Sequence, residues 1–221
     1  MNAAENLSIL KNEIAEHVKI IAVSKTHTPS EILEVYNSGH RLFGENRAQE
    51  LIDKQPQLPD DIQWHFIGHL QTNKVKYIAP YVSMFHSIDS LKLLIEINKQ
   101  ASKNQRVIDC LLQFHIAQEE TKFGLNQQEA AELLNSQEYK SMKNIKLRGV
   151  MGMATFTDDM EWVRKEFKTL KEYFVFLKTN YFAADDDFSE ISMGMTSDYM
   201  VAIEEGSTMV RIGRAIFGER G

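Results

Sequence analysis

Cysteine is almost absent: Cys110 is the only one in 221 residues, which excludes an intramolecular disulfide. It sits in the apolar run 107–114 and is expected to be buried and inert. Long hydrophobic runs are missing too, and nothing approaches the roughly 20 apolar residues that span a bilayer. The polar start Met1-Asn-Ala-Ala-Glu-Asn6 does not read as a signal peptide. Positive charge is in short supply: 25 Lys and Arg against 31 Asp and Glu leave a net charge of −6, with no block of like charge. A nucleic-acid surface would need clustered Lys and Arg. No linker or low-complexity segment interrupts the chain. Metal-ligand spacing is lacking as well: no histidine pair has helical ligand spacing with a supporting carboxylate, and Asp185-Asp186-Asp187 reads as a solvated loop. These absences point to a cytoplasmic protein with no membrane span, nucleic-acid partner or metal.

What the chain does have is a hydrophobic fraction of 43%, enough for a substantial core, and a strict alternation of two kinds of segment. Leu7, Ile9, Leu10, Ile14 and Val18 carry helical spacing ahead of a first buried strand at 19–25. Thr28-Pro29-Ser30-Glu31 then starts a helix that runs to Gly39. The unit recurs. Strands are expected at 41–46, 62–68, 84–88, 107–116, 147–154, 188–193 and 208–212. Helices are expected through Leu51 and Ile52, over 71–77, from Asp89-Ser90 to about 101, from 127 to 134, over 159–177 and over 199–203. Eight strands alternating with helices imply a parallel sheet with right-handed crossovers. An open doubly wound sheet is possible, but eight units in a chain of this size better fit a closed (β/α)8 TIM barrel with an extra N-terminal helix, one domain over residues 1–221. In such a barrel the C-terminal strand ends carry the site. Here those ends offer Lys25, Asn46, Gly68-His69, His86-Ser87, His115, Met151–Met153, Ser192 and Gly213-Arg214.

The last thirty residues contain the densest cluster of unusual features. Met209-Val-Arg-Ile212 is a short apolar strand with one charge in it, Arg211, and a buried guanidinium must point at something polar. Gly213 follows, and Arg214-Ala-Ile-Phe217 can open a short helix whose first amides suit an anion. Ser192-Met-Gly-Met-Thr-Ser197 adds a hydroxyl, Ser192, and a second glycine at the end of the neighbouring strand. Together they read as a phosphate cup. The plainer alternative is that Arg211 pairs with a core carboxylate and the glycines are ordinary turns. At the other end of the chain, period-two alternation puts Ile21, Val23 and Lys25 on one face of the first strand. If that face is the interior, Lys25 emerges from an apolar floor at the mouth, where desolvation and a nearby cation would favour its free, nucleophilic amine. A lysine that merely reaches out to water is the alternative. An amine for an aldehyde beside a cup for a phosphate suggests pyridoxal 5′-phosphate (PLP).

Ile-Ala-Val-Ser-Lys25-Thr, Phe43-Gly-Glu-Asn46, Trp64-His-Phe-Ile-Gly68-His-Leu-Gln71, Asn73-Lys74, His86-Ser-Ile-Asp89, Ser192-Met-Gly-Met195 and Met209-Val-Arg-Ile-Gly213 occur in order across essentially the whole chain. This series resembles the pyridoxal phosphate homeostasis protein family. The resemblance implies a fold-type III barrel similar to the N-terminal domain of alanine racemase, with PLP as a Schiff base on Lys25. It implies Arg211 facing the pyridine nitrogen, Asn46 beside the ring, and Ser192 with the Gly213 and Arg214 backbone on the phosphate. Two positions depart from the pattern: His115 stands where Asn is frequent, and Arg214 where Thr is common. The implied role is to buffer PLP and pass it to apo enzymes, as a monomer without strong catalysis; the alternative is a fold-type III amino-acid racemase or decarboxylase. Racemases of this type take a second base from an additional β-domain, and the chain ends at Gly221 before one could follow. His69, His86 and His115 fall near strand ends, so one of them is expected to face the cofactor. His65 reads as a core histidine, and His17, His27 and His40 as surface or loop residues.

Overall fold

Eight parallel strands follow one another around a closed barrel in chain order, and helices cover its outside. The computed structural model describes residues 2–119 and 123–218. Helix α1 (Ala3–Glu13) precedes strand β1 (Lys19–Val23). There follow α2 (Pro29–Asn37), β2 (Leu42–Glu45), α3 (Ala48–Lys54), β3 (Gln63–Phe66), α4 (Thr72–Ile78), β4 (Val82–Ile88), α5 (Leu91–Lys103) and β5 (Ile108–Phe114). The second half holds α6 (Gln127–Asn135), α7 (Gln137–Ser141), β6 (Ile145–Gly152), α8 (Met160–Tyr181), β7 (Glu190–Ser192), α9 (Tyr199–Glu204), β8 (Met209–Ile212) and α10 (Arg214–Phe217). β8 pairs with β1, Lys19 opposite Met209 and Ala22 opposite Ile212, and this closes the barrel.

Helix starts follow local chemistry. Asn2 with Glu5, Thr28 with Glu31 and Asn126 with Glu129 each form a reciprocal capping box, which satisfies two otherwise unpartnered amides at once. Several boundaries differ from the sequence pattern, and two of them frame the first strand. The apolar spacing over 7–18 predicts a longer first helix, but α1 stops where Ile14 turns extended at φ −95°, ψ 131°. Ile14 and Val18 are still buried, so their spacing reports packing rather than helix. Strand β1 stops at Val23, two residues before Lys25. One further strand-like bond, Ser24 N to Gly44 O at 3.0 Å, is made before the chain turns at Thr26, φ 68°.

The strands alternate between two cores. Ile20, Ala22, Phe43, Trp64, Phe66, Phe85, Ile191, Val210 and Ile212 pack outward against the helices. Inside the barrel, Ile21, Met84, Leu111, Met151 and Met209 make one apolar layer. Three of those five are methionines, whose flexible thioethers fill an irregular interior well. Below this layer, at the N-terminal ends of the strands, Lys19 meets Glu190, whose other oxygen accepts from Thr208 Oγ1 at 2.7 Å. Above it the interior turns polar. Among the described residues no helix is long and apolar enough to cross a membrane.

Candidate active site at the barrel mouth

The polar layer is a hydrogen-bonded row across the barrel. Arg211 Nη1 donates to Ser192 Oγ at 2.7 Å, and Nη2 donates to Gly152 O at 2.9 Å. Ser192 Oγ also lies 3.0 Å from His86 Nδ1, and His86 Nε2 lies 2.8 Å from His65 Nδ1. All four side chains are buried, and each reaches the interior because its strand alternates. Burial, with Lys19 and His40 nearby, lowers the His65 pKa to about 3. Burial, then His65 and Arg211, hold His86 well below its ordinary value. Both imidazoles are therefore neutral near pH 7, each with one N–H and one acceptor nitrogen. Burial also lowers Arg211 to about 10, opposed by Asp198, so the guanidinium remains charged. Its hydrogen-bond acceptors are a hydroxyl and a carbonyl, and the buried carboxylate of Asp198 is the charge that favours its ionised form.

Above this row opens a cavity of about 560 Å³. Its wall includes Lys25 and Val23 from the end of β1, Asn46 after β2, Ile67 after β3, and Met153 and Phe156 after β6. Met195, Thr196 and Ser197 come from the loop after β7, and Arg211, Gly213 and Arg214 from β8 and its turn into α10. The inward face of β1 is as the alternation predicts, with Ile21 in the interior layer and Val23 and Lys25 reaching the cavity. Asn46 contributes a buried Oδ1 that has no hydrogen-bond partner. At the start of α10 the Gly213 carbonyl accepts from Ile216 and Phe217, while helix geometry leaves the first amides outside the ladder. Gly213 itself has an ordinary φ of −113°; its smallness matters because a Cβ would lie 3.1 Å from Val23 O. Gly194 is the conformationally demanding glycine, at φ 95° and with Ala202 Cβ 2.6 Å from where its own Cβ would sit. It turns the chain so that Met195–Ser197 face the cavity.

The structure therefore brings Lys25, Asn46, Arg211, Gly213 and Arg214 together and sets Ser192 apart. Ser192 does not line the cavity; its hydroxyl lies beneath, between Arg211 and His86. The hydroxyl-bearing residues of that segment that line the cavity are Thr196 and Ser197, beyond the strand end. None of the three expected histidines is in the wall. His86 is in the row below, His69 pairs with Asp89 at 3.2 Å and stacks on Phe123, and His115 lies 3.0 Å from Glu119 O. The histidine in the wall is instead His27, buried against Phe217 with ring centroids 4.7 Å apart and with Nδ1 3.0 Å from Glu31. Its place two residues beyond Lys25 was the available signal. His65 is the core histidine that its strand position predicts.

With this geometry in view, the chain can be compared with known proteins. The sequence model of the family described as "Alanine racemase, N-terminal domain" matches residues 2–221. The pyridoxal phosphate homeostasis protein of Aquifex aeolicus is 41% identical over 232 residues, covering 100% of this chain and 99% of that one. The protein of that name from Escherichia coli K12 is 35% identical over 234 residues, covering 98% and 96%. Among solved structures, PipY of Synechococcus elongatus PCC7942 with PLP bound superposes with a TM-score of 0.88 at 31% identity, over 98% of this chain and 100% of that one. Alanine racemase of Clostridium difficile 630 shares the fold at a TM-score of 0.73 and 18% identity, over 99% of this chain and 56% of that one. The chain belongs to the alanine racemase N-terminal domain family and, within it, to the pyridoxal phosphate homeostasis proteins.

Proposed function

We propose that this protein holds pyridoxal 5′-phosphate on Lys25, shields it and passes it on, and so maintains vitamin B6 balance in the cytoplasm. The observation that carries the reading is that Lys25 and the Gly213-Arg214 turn share one cavity. The first is an amine suited to an aldehyde, the second a set of amides and a guanidinium suited to a phosphate. The cavity also fits such a ligand on its own terms. Asn46 Oδ1 is a buried acceptor without a donor, a state that costs about 1–3 kcal/mol and that a ring hydroxyl would relieve.

When bound, PLP supplies an electrophilic carbon and a conjugated ring able to accept negative charge. The roles of the chain's own groups follow from their placement. Lys25 provides the nucleophilic nitrogen. Thr196, Ser197 and the amides of Gly213 and Arg214 take the phosphate. Ser192, which the motif resemblance assigns to the phosphate, instead orients Arg211. Arg211 would hold the pyridine nitrogen, where a guanidinium can only donate, and so would leave that nitrogen unprotonated and the ring a weak electron sink. For that reason we assign the protein a carrier role toward apo enzymes, as a monomer, rather than efficient racemase or decarboxylase chemistry.

Reduction of the PLP-loaded protein with borohydride, followed by peptide mass analysis, tests the assignment. Pyridoxyl label is expected on Lys25, and label on another lysine such as Lys74 would overturn it. Incubation with the common amino acids should show no α-proton exchange beyond that of free PLP.

A further inference from the structure

The backbone on either side of Lys25 is gripped from outside the barrel by a buried ion cluster. We propose that Lys54, Glu45 and Glu50 are positioning residues for Lys25, holding Ser24 and Thr26 so that the amine between them is aimed into the cavity. The proposal rests on the reading of Lys25 as the ligand-bearing lysine.

Lys54 ends α3 and has only 8% of its side chain exposed. Its Nζ donates to Ser24 O at 2.8 Å, to Glu45 Oε1 at 2.8 Å and to Glu50 Oε1 at 2.6 Å. An ammonium has three protons, and all three are used. Glu45 is fully buried at the outward-facing end of β2, and its Oε1 also accepts from Ser24 Oγ at 2.7 Å. Ser24 is thus held by both its carbonyl and its hydroxyl. Glu50, one turn before Lys54 on α3, accepts in addition from the Thr26 amide. Thr26 has φ 68°, a left-handed conformation that a β-branched residue rarely adopts without outside support. The only residue between these two anchors is Lys25.

A cluster of this kind is a poor device for stability alone, because burying charges offsets much of what their attraction contributes. Desolvation raises the Glu45 pKa, and its Oε2 lacks a hydrogen-bond partner, so the cluster carries an electrostatic penalty. An apolar patch could fill the same space between α3 and the barrel. It could not present a donor to one peptide group and an acceptor to the peptide group two residues on. Directional grip is what these charges add.

The test uses the full-length protein loaded with PLP. Glu50→Ala removes the acceptor for Thr26, and Leu51→Ala, a buried apolar neighbour on the same helix that supplies neither anchor with a hydrogen bond, controls for general loosening of α3. Glu50→Ala is expected to weaken covalent PLP attachment at least tenfold and to speed amide exchange at Thr26 in the apo protein, while Leu51→Ala does neither at equal or greater loss of Tm. Should Glu50→Ala fail to fold, the triple replacement Lys54→Met, Glu45→Gln and Glu50→Gln frees the Ser24 carbonyl while leaving no unpaired charge in the cluster, and the same loss is expected. Attachment unchanged, or weakened equally by Leu51→Ala, overturns the proposal. Failure of the parent protein to label at Lys25 is a separate result that overturns the functional reading and the proposal with it.

Discussion

The two ends of the barrel both carry charge, and the cavity at the mouth holds its charge differently from the closed end, although the Lys54 cluster outside that cavity is paired as well. At the N-terminal end three cations meet carboxylates: Lys19 with Glu190, Lys146 with Asp187, and Arg148 with Asp187 at 3.2 Å and Asp109 at 3.6 Å, while Arg106 donates to the Ala79 carbonyl. At the mouth, Arg211 is held by a hydroxyl and a carbonyl, Asn46 has an unpartnered oxygen, and Lys25 stands in a cavity wall. An end whose charges neutralise one another closes a fold. An end that keeps a positive group among neutral acceptors retains capacity for an anionic or electron-rich partner. The position of the site follows from that difference, independently of any relative.

The largest expected effect concerns the histidines. His65 and His40 have pKa values lowered to about 3 and about 4, mainly by burial, and His86 lies well below its ordinary value. The unfolded chain takes up protons below about pH 6.5 while the folded one does not. Their contribution is therefore complete above that pH and is lost as pH falls toward the folded values. At pH 5 His65 and His40 are each expected to cost about 2 kcal/mol relative to pH 7, from roughly 1.4 kcal/mol per pH unit, and His86 adds in the same direction. Denaturant titrations at a series of pH values measure this, and a flat profile would contradict neutral histidines in the interior. His40→Asn should flatten the curve by one histidine's share and leave the PLP spectrum unchanged, since His40 lies at the closed end with Nε2 on Leu42 O.

The anion capacity of the mouth comes next. Pyridoxal without its phosphate should bind roughly 10–100-fold more weakly than PLP, the worth of one or two charge-assisted hydrogen bonds. Gly213→Pro, which constrains the turn and removes a donor, should narrow that gap. Equal affinity for the two ligands would remove the phosphate cup from the account.

Arg211 separates the two ends more finely. If its work is at the cavity, Arg211→Ala should lower apo stability by only about 1–2 kcal/mol, for two hydrogen bonds to neutral acceptors, and change the PLP spectrum. Arg211→Glu should favour a protonated ring nitrogen and an altered spectral form. A well-folded Arg211→Glu protein with the parent's spectrum would show that residue 211 does not touch the ligand.

The smallest effect belongs to the closed end. Lys146 is 37% exposed and its partner Asp187 is 51% exposed, so Lys146→Ala should change stability by less than about 1 kcal/mol and leave PLP binding unaltered. A marked change in ligand affinity would mean that the two ends are coupled.

Much of this arrangement could be read before any coordinates were in hand. Alternation along 19–25 placed Lys25 on the inward face because side-chain direction in a strand depends only on parity. Parity also put a charge, Arg211, inside an otherwise apolar strand. The same reasoning failed where the chain leaves a strand. Ser192 ends β7, where the resemblance implies a phosphate contact, but it is Thr196 and Ser197 beyond the Gly194 turn that line the cavity. His27 is the loop residue that its position predicts, but nothing local announces its burial against Phe217 from the far end of the chain.

By itself, then, the sequence determined the eight-unit alternation, the Thr28 and Ser90 helix starts and which residues of a strand share a face, all of which depend on contacts a few residues apart. Which polar groups meet was decided only by closure of the barrel. His65, His86, Ser192 and Arg211 come from four strands, and the Lys54 grip on Ser24 spans thirty residues of chain. A buried donor must find its acceptor wherever the fold brings one within about 3 Å, and separation along the chain carries no record of that distance.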